Sequence, residues 1–121
     1  VKHLISFKPQ FIPLIESGIK CQTIRKERKR PIIPGDTLIL CTGLRTKHYR
    51  RIKEVECSGI YRVEIRTNSI MLSGKYLFGG RLLQFIQDDG FDAQRDFYDF
   101  FRKQYGPQVF VGVVINWTDM G

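Results

Sequence analysis

Lys20 and Thr23 stand three positions apart in the stretch Gly18-Ile19-Lys20-Cys21-Gln22-Thr23-Ile24-Arg25. A threonine hydroxyl is a poor nucleophile unless a base takes its proton, and a lysine does so only when neutral. Nearby positive charge lowers a lysine pKa, and Arg25, Lys26 and Arg28 follow closely. A carboxylate such as Asp89 can orient the lysine, or protonate a leaving amine if burial raises its own pKa. A carboxylate touching Lys20 also favours the charged ammonium, so the two influences oppose each other. Asp88 is an equally placed acid. Without chemistry, Lys20 reads as a phosphate contact, Thr23 as an ordinary strand residue and Asp89 as part of a turn.

Arg25 is suited to ligand binding, because its planar fork holds a phosphate or a base edge bidentately where a lysine cannot. The run Lys26 to Arg30, with Lys26 and Arg28, adds non-specific attraction for phosphates. A second basic element holds Arg45, Lys47, Arg50 and Arg51, with His48 and Tyr49 between them. Aromatic rings among cations suit single-stranded nucleic acid, whose bases stack while its phosphates pair with charge.

The placement of charge points the same way. The formal net charge is +8 over 121 residues. Between Lys20 and Lys53, eleven cations face only Glu27 and Asp36, so this segment carries the whole excess. Such a block repels itself, and a polyanionic partner explains it better than solubility does. The expectation is that these cations gather around one pocket near Lys20.

Other chemistries have less footing. Cys21, Cys41 and Cys57 lack metal-ligand spacing, and His3 and His48 add no zinc pattern, so neither a metal nor a cofactor is expected. The cysteines read as reduced, packed thiols, with a reactive Cys21 beside Lys20 as a minor alternative. No apolar run is long enough to span a bilayer and the N-terminus breaks at Pro9, so a cytoplasmic location is expected.

The elements that must position these residues fit one domain over 1–121. Hydrophobic content of 42% suffices for a core. Alternation predicts strands over 2–7, 37–41, 52–65 (bent near Gly59) and 109–117, with 20–25 extended. Helices are expected over 9–17, stopped by Gly18, and over 92–105, with Asp92 as N-cap and Phe97, Phe100, Phe101 and Tyr105 on a core face. The loops include Lys26–Arg30, Pro34-Gly35-Asp36 and the basic connection 42–51, while the glycine-rich 68–80 stays ambiguous. Short strands with two main helices predict an α+β fold, a mixed β-barrel of five to six strands.

In order, the Lys20–Arg25 segment after a helix, the basic loop, Gly35-Asp36, Asp89-Gly90-Phe91 before an aromatic helix, Tyr105-Gly106 and a final strand resemble the ASCH domain family. ASCH domains are similar to PUA domains, so the resemblance implies a PUA-like barrel that binds RNA. Some small members remove the acetyl group from N4-acetylcytidine, and others have been described as ribonucleases. The amidohydrolase type uses a lysine, a threonine three residues on and a distant glutamate. Lys20 and Thr23 match the first two, and Asp89 stands where the glutamate would be, one methylene shorter. Cys21 occupies a position where threonine is common. Binding of RNA or a modified nucleoside is therefore the leading expectation, with deacetylation or RNA cleavage as alternatives.

Overall fold

The computed structural model describes residues 1–120 and is an α+β fold. In chain order come β1 (Lys2–Ser6), a 3-10 turn (Pro9–Phe11), α1 (Ile12–Ser17), β2 (Gln22–Arg25), β3 (Thr37–Thr42), β4 (Arg50–Ile65), β5 (Ile70–Leu72), β6 (Lys75–Tyr76), α2 (Gly79–Asp88), α3 (Gln94–Tyr105) and β7 (Phe110–Asp119).

The long strand β4 organises a mixed seven-stranded sheet. Along one edge its first half pairs antiparallel with β3 and its last residues pair with β5. Its other edge pairs with β7 from Val55 to Ile65, with a register shift at Cys57/Gly59 that supplies the expected bend as a bulge. β1 joins β3 in parallel, and β2 joins β7 antiparallel. The backbone path thus runs β1-β3-β4-β7-β2 and stops.

The expected barrel is not closed. β2 ends after four residues, and no backbone pairing links it to β1. Two arginines span the seam instead. Arg25 Nη2 donates to the Ser6 carbonyl at 2.8 Å, and Arg28 Nη2 donates to the Leu4 carbonyl at 2.8 Å. A free strand edge presents carbonyls that need partners, and guanidinium groups supply the donors here.

The ambiguous segment after Asn68 resolves into structure. Ser73 and Gly74, both at positive φ, make the tight turn of a β5–β6 hairpin, bringing the strands to seven rather than five or six. α2 follows, a third helix not expected from the sequence. Its opening pair Gly79-Gly80 weakens the helical signal, but Leu82, Phe85 and Ile86 are buried along one side. α3 starts later than expected: Ala93, not Asp92, is its N-cap, and no side chain caps it.

One core unites the sheet and the helices. Phe91, Phe97 and Phe101 are buried among edge-to-face and tilted ring pairs reaching to Phe11, Phe85 and Phe110. Asp36 has a structural role. Its carboxylate accepts from the Ile33 N–H at 3.1 Å and lies 2.8 Å from His3 Nε2 of β1. The Ile33 bond, then the histidine bond, holds its pKa below the ordinary carboxylate value. Among the described residues no helix is long and apolar enough to cross a membrane.

Candidate functional site

Three loops and one strand converge where β2 begins. The Lys20 N–H bonds the Leu14 carbonyl of α1 at 2.9 Å, and the Cys21 N–H bonds the Asp88 carbonyl at the end of α2 at 2.9 Å. These bonds place Lys20 against the Asp89-Gly90 turn. Gly90 has φ +99°, and a Cβ there would stand 3.2 Å from Lys20 Cδ and 3.3 Å from Leu14 Cδ1. Glycine therefore fits both the left-handed turn and the passage of the lysine stem.

Lys20, Thr23 and Asp89 are 3%, 4% and 3% exposed, and all three line one cavity of about 120 Å³. Lys20 Nζ donates to the Asp89 carbonyl at 2.5 Å and lies 3.7 Å from Asp89 Oδ1. The ammonium position faces the rings of Phe11 (4.7 Å) and Phe7 (5.7 Å). Gln22 Nε2 lies 3.5 Å from Asp89 Oδ1 and donates also to the Phe85 carbonyl at 3.3 Å. Arg25 Nε donates to Thr23 Oγ1 at 3.0 Å, while its ring neighbour is Phe7 at 4.8 Å.

Burial sets the electrostatics. It lowers the Lys20 pKa from its ordinary value, Asp89 opposing and Arg25 reinforcing that shift. It raises Asp89 to about 6, against the pull of Lys20, Gln22 and Arg25. Both groups are driven toward their uncharged forms, a basic amine beside an acidic carboxyl. Arg25 places a cation at the Thr23 oxygen, which favours developing negative charge there. Burial raises the half-buried Cys21 thiol, with Asp88 adding to the shift, so thiolate chemistry is disfavoured.

No protein-family model matches the chain, and no curated protein matches it. Among solved structures it is similar to the crystal structure of the hypothetical protein PH0355, at 21% identity and a TM-score of 0.60. The match covers 99% of this chain and 100% of that one. At that identity the likeness speaks to the fold alone.

The remaining candidates separate. Lys26 lies beside the cavity wall, its Nζ 5.6 Å from the Tyr105 ring, and Lys8 Nζ stands over Phe100 at 5.1 Å. Arg28 spans the seam and joins Arg45, Arg30 and Lys2 around a separate depression. Lys47 and Tyr49 are exposed and line neither, and Arg50 pairs with Glu16 at 3.2 Å on the surface. The cations are thus not gathered around one pocket. The loop 42–51 reaches the edge of β1 through Arg45, but it does not reach Lys20.

Several site residues carry no sequence signal of their own. Phe7 and Phe11 are buried core residues that also form the wall beside Lys20 Nζ. Phe100 and Tyr105, expected in the core, are half-buried and line the cavity. Gln22, 2% exposed, lies inside the motif, and only its burial beside Asp89 shows its part. Among the described residues no cluster of histidine, cysteine and carboxylate side chains is arranged to hold a metal ion.

Proposed function

We propose that the chain is an ASCH-type, PUA-like domain that binds a modified nucleoside and hydrolyses an acyl amide on its base. The supporting observation is the convergence of buried Lys20, Thr23 and Asp89 on one small cavity. A lysine that serves only to attract phosphate keeps its ammonium in water, whereas this one is enclosed beside an acid, in a cavity that Thr23 also lines. A cavity of about 120 Å³ is below the roughly 300–1,000 Å³ of pockets for whole drug-sized ligands. It suits the acyl-amide edge of a base, with the sugar outside among Lys8, Lys26 and Gln104.

In this reading the neutral Lys20 amine takes the Thr23 proton as Oγ1 attacks the acyl carbon. Arg25, donating to Oγ1, favours the loss of its proton, and the negative charge passes to the acyl oxygen of the tetrahedral intermediate. The tetrahedral intermediate collapses, the C–N bond breaks, and the Asp89 carboxyl protonates the departing amine. The proton Lys20 took then passes to the neighbouring Asp89 carboxylate. Lys20 takes a proton from water as the water attacks the threonine ester, and it returns that proton to Oγ1 as the acid leaves. N4-acetylcytidine is the probe. Wild-type protein releases cytidine and acetate, and Lys20→Ala abolishes release; unchanged turnover in that variant refutes the assignment.

A second reading, RNA binding without chemistry, draws on the depression of Lys2, Arg28, Arg30 and Arg45. These cations sit beside the seam and suit a phosphate backbone. Affinity for RNA then falls steeply as salt rises, and a flat salt response removes the reading.

A further inference from the structure

Behind β2, away from the Lys20 cavity, a second concavity of about 1100 Å³ runs between α2 and the β5–β6 hairpin. It shares no lining residue with the Lys20 cavity or the Arg45 depression. Its floor is the face of β2, β7 and β4 that carries Gln22, Asn116, Val114 and Tyr61, which are in register across the three strands.

Three features of the lining define its chemistry. First, it displays aromatic rings the core does not use: Tyr61, Tyr76 and Phe78 are 47%, 54% and 78% exposed. Exposed rings at this level cost apolar hydration unless something flat covers them. The Tyr61 ring folds back across Gly59, where a Cβ would stand 2.8 Å from it, so the ring lies against the sheet as a platform. Second, one polar pair lies in an otherwise apolar floor. Asn116 Nδ2 donates to Gln22 Oε1 at 3.4 Å, which anchors an amide beside the rings. Primary amides read the donor–acceptor edges of bases. Third, the charged lining residues are Lys75, Arg81 and Asp88, and the Asp88 carboxylate accepts from Gln84 at 2.8 Å.

Stacking rings, an edge-reading amide and two exposed cations match the bases and phosphates of a single strand. Leu72, Leu77 and Val114 supply apolar wall between these groups, which the flat faces of bases can also cover. We infer that this groove binds single-stranded nucleic acid, with bases stacked on Tyr61, Tyr76 and Phe78 and phosphates beside Lys75 and Arg81.

The test measures fluorescence anisotropy of short labelled oligo(A) and oligo(U) RNA with the intact chain. Stacking on an aromatic side chain is worth about 1–3 kcal/mol per base, so Phe78→Ala and Tyr76→Ala should each weaken binding at least about five-fold. Phe78→Trp should retain binding, and Lys75→Ala with Arg81→Ala should weaken it and flatten its salt dependence. Phe78 is exposed, so its loss does not unfold the domain. If the wild type binds neither oligonucleotide at low salt, or if Arg28→Ala and Arg45→Ala abolish binding while the aromatic variants bind normally, the groove is not the site. The measurement needs no turnover. A protein that releases no cytidine yet loses oligonucleotide affinity with Phe78→Ala refutes the hydrolase reading and keeps this one.

Discussion

Arg25 and Ser6 are joined by a guanidinium-to-carbonyl hydrogen bond of 2.8 Å across the gap between β2 and β1. The same guanidinium reaches Thr23 Oγ1 at 3.0 Å, so one side chain both ties the sheet and positions the hydroxyl. A hydrogen bond from a charged donor contributes about 1.5–3 kcal/mol. Arg25→Ala is expected to lower unfolding free energy by about 2 kcal/mol in urea titrations and to suppress cytidine release. A lysine has no fork to reach both oxygens, so Arg25→Lys should recover less than half of the stability. Full recovery by lysine would show that the seam needs only a charge.

The turn at Gly90 gives a second prediction. A left-handed backbone costs a non-glycine residue about 1–2 kcal/mol. An added Cβ would also press on Lys20 Cδ at 3.2 Å. Gly90→Ala should therefore destabilise the fold by about 1–2 kcal/mol and reduce kcat more than KM, because the substrate's outer contacts remain. A variant with altered stability and unchanged kcat would mean that the lysine tolerates the shift.

These residues also mark how far the sequence is legible. Thr23 and Arg25 alternate along β2 and Lys20 lies two residues before it, so their nearness is legible in one short segment. Asp89 is marked by its position before an aromatic helix, and the hydrogen bond between Cys21 and Asp88 is the long-range contact that brings it in. Arg28 and Arg45 do not belong to the Lys20 pocket, because charge density along a chain does not say which way an edge strand faces. Closure of the barrel is likewise a non-local property, decided by the short β2 and two guanidinium groups. The groove over Tyr61 and Phe78 leaves no pattern, since it forms from a β-hairpin and a helix that the glycines of 68–80 obscure.

The buried acid makes a prediction about stability. Asp89 has a pKa of about 6 in the folded chain and an ordinary value of 3.8. The folded state therefore binds this proton more tightly than the unfolded state does. The group's favourable contribution is present below about pH 4 and is lost as pH rises to about 6, a swing of up to about 3 kcal/mol. Asp89→Asn should remove that slope when unfolding free energies are compared across this window. Lys20→Met removes the cation that pulls the value down, so the Asp89 carboxyl should titrate above about 6 by NMR. A lower value in that variant would contradict the pairing.

The same two groups set the expected pH dependence of turnover. The productive state holds one proton between Asp89 and Lys20, whichever of the two carries it at rest. Kinetics reports the macroscopic values of the pair. Release of cytidine should rise as the fully protonated pair loses its first proton near the Asp89 value of about 6. It should fall again as the second proton leaves, below the ordinary lysine value of 10.5, because burial lowers Lys20. The side-chain amide of the Asp89→Asn variant cannot titrate, so any residual activity should lose the limb near pH 6 and rise only as Lys20 deprotonates. A wild-type profile without a limb near pH 6, or one unchanged by Asp89→Asn, would exclude Asp89 from the proton transfers and leave Lys20 and Thr23 without their acid.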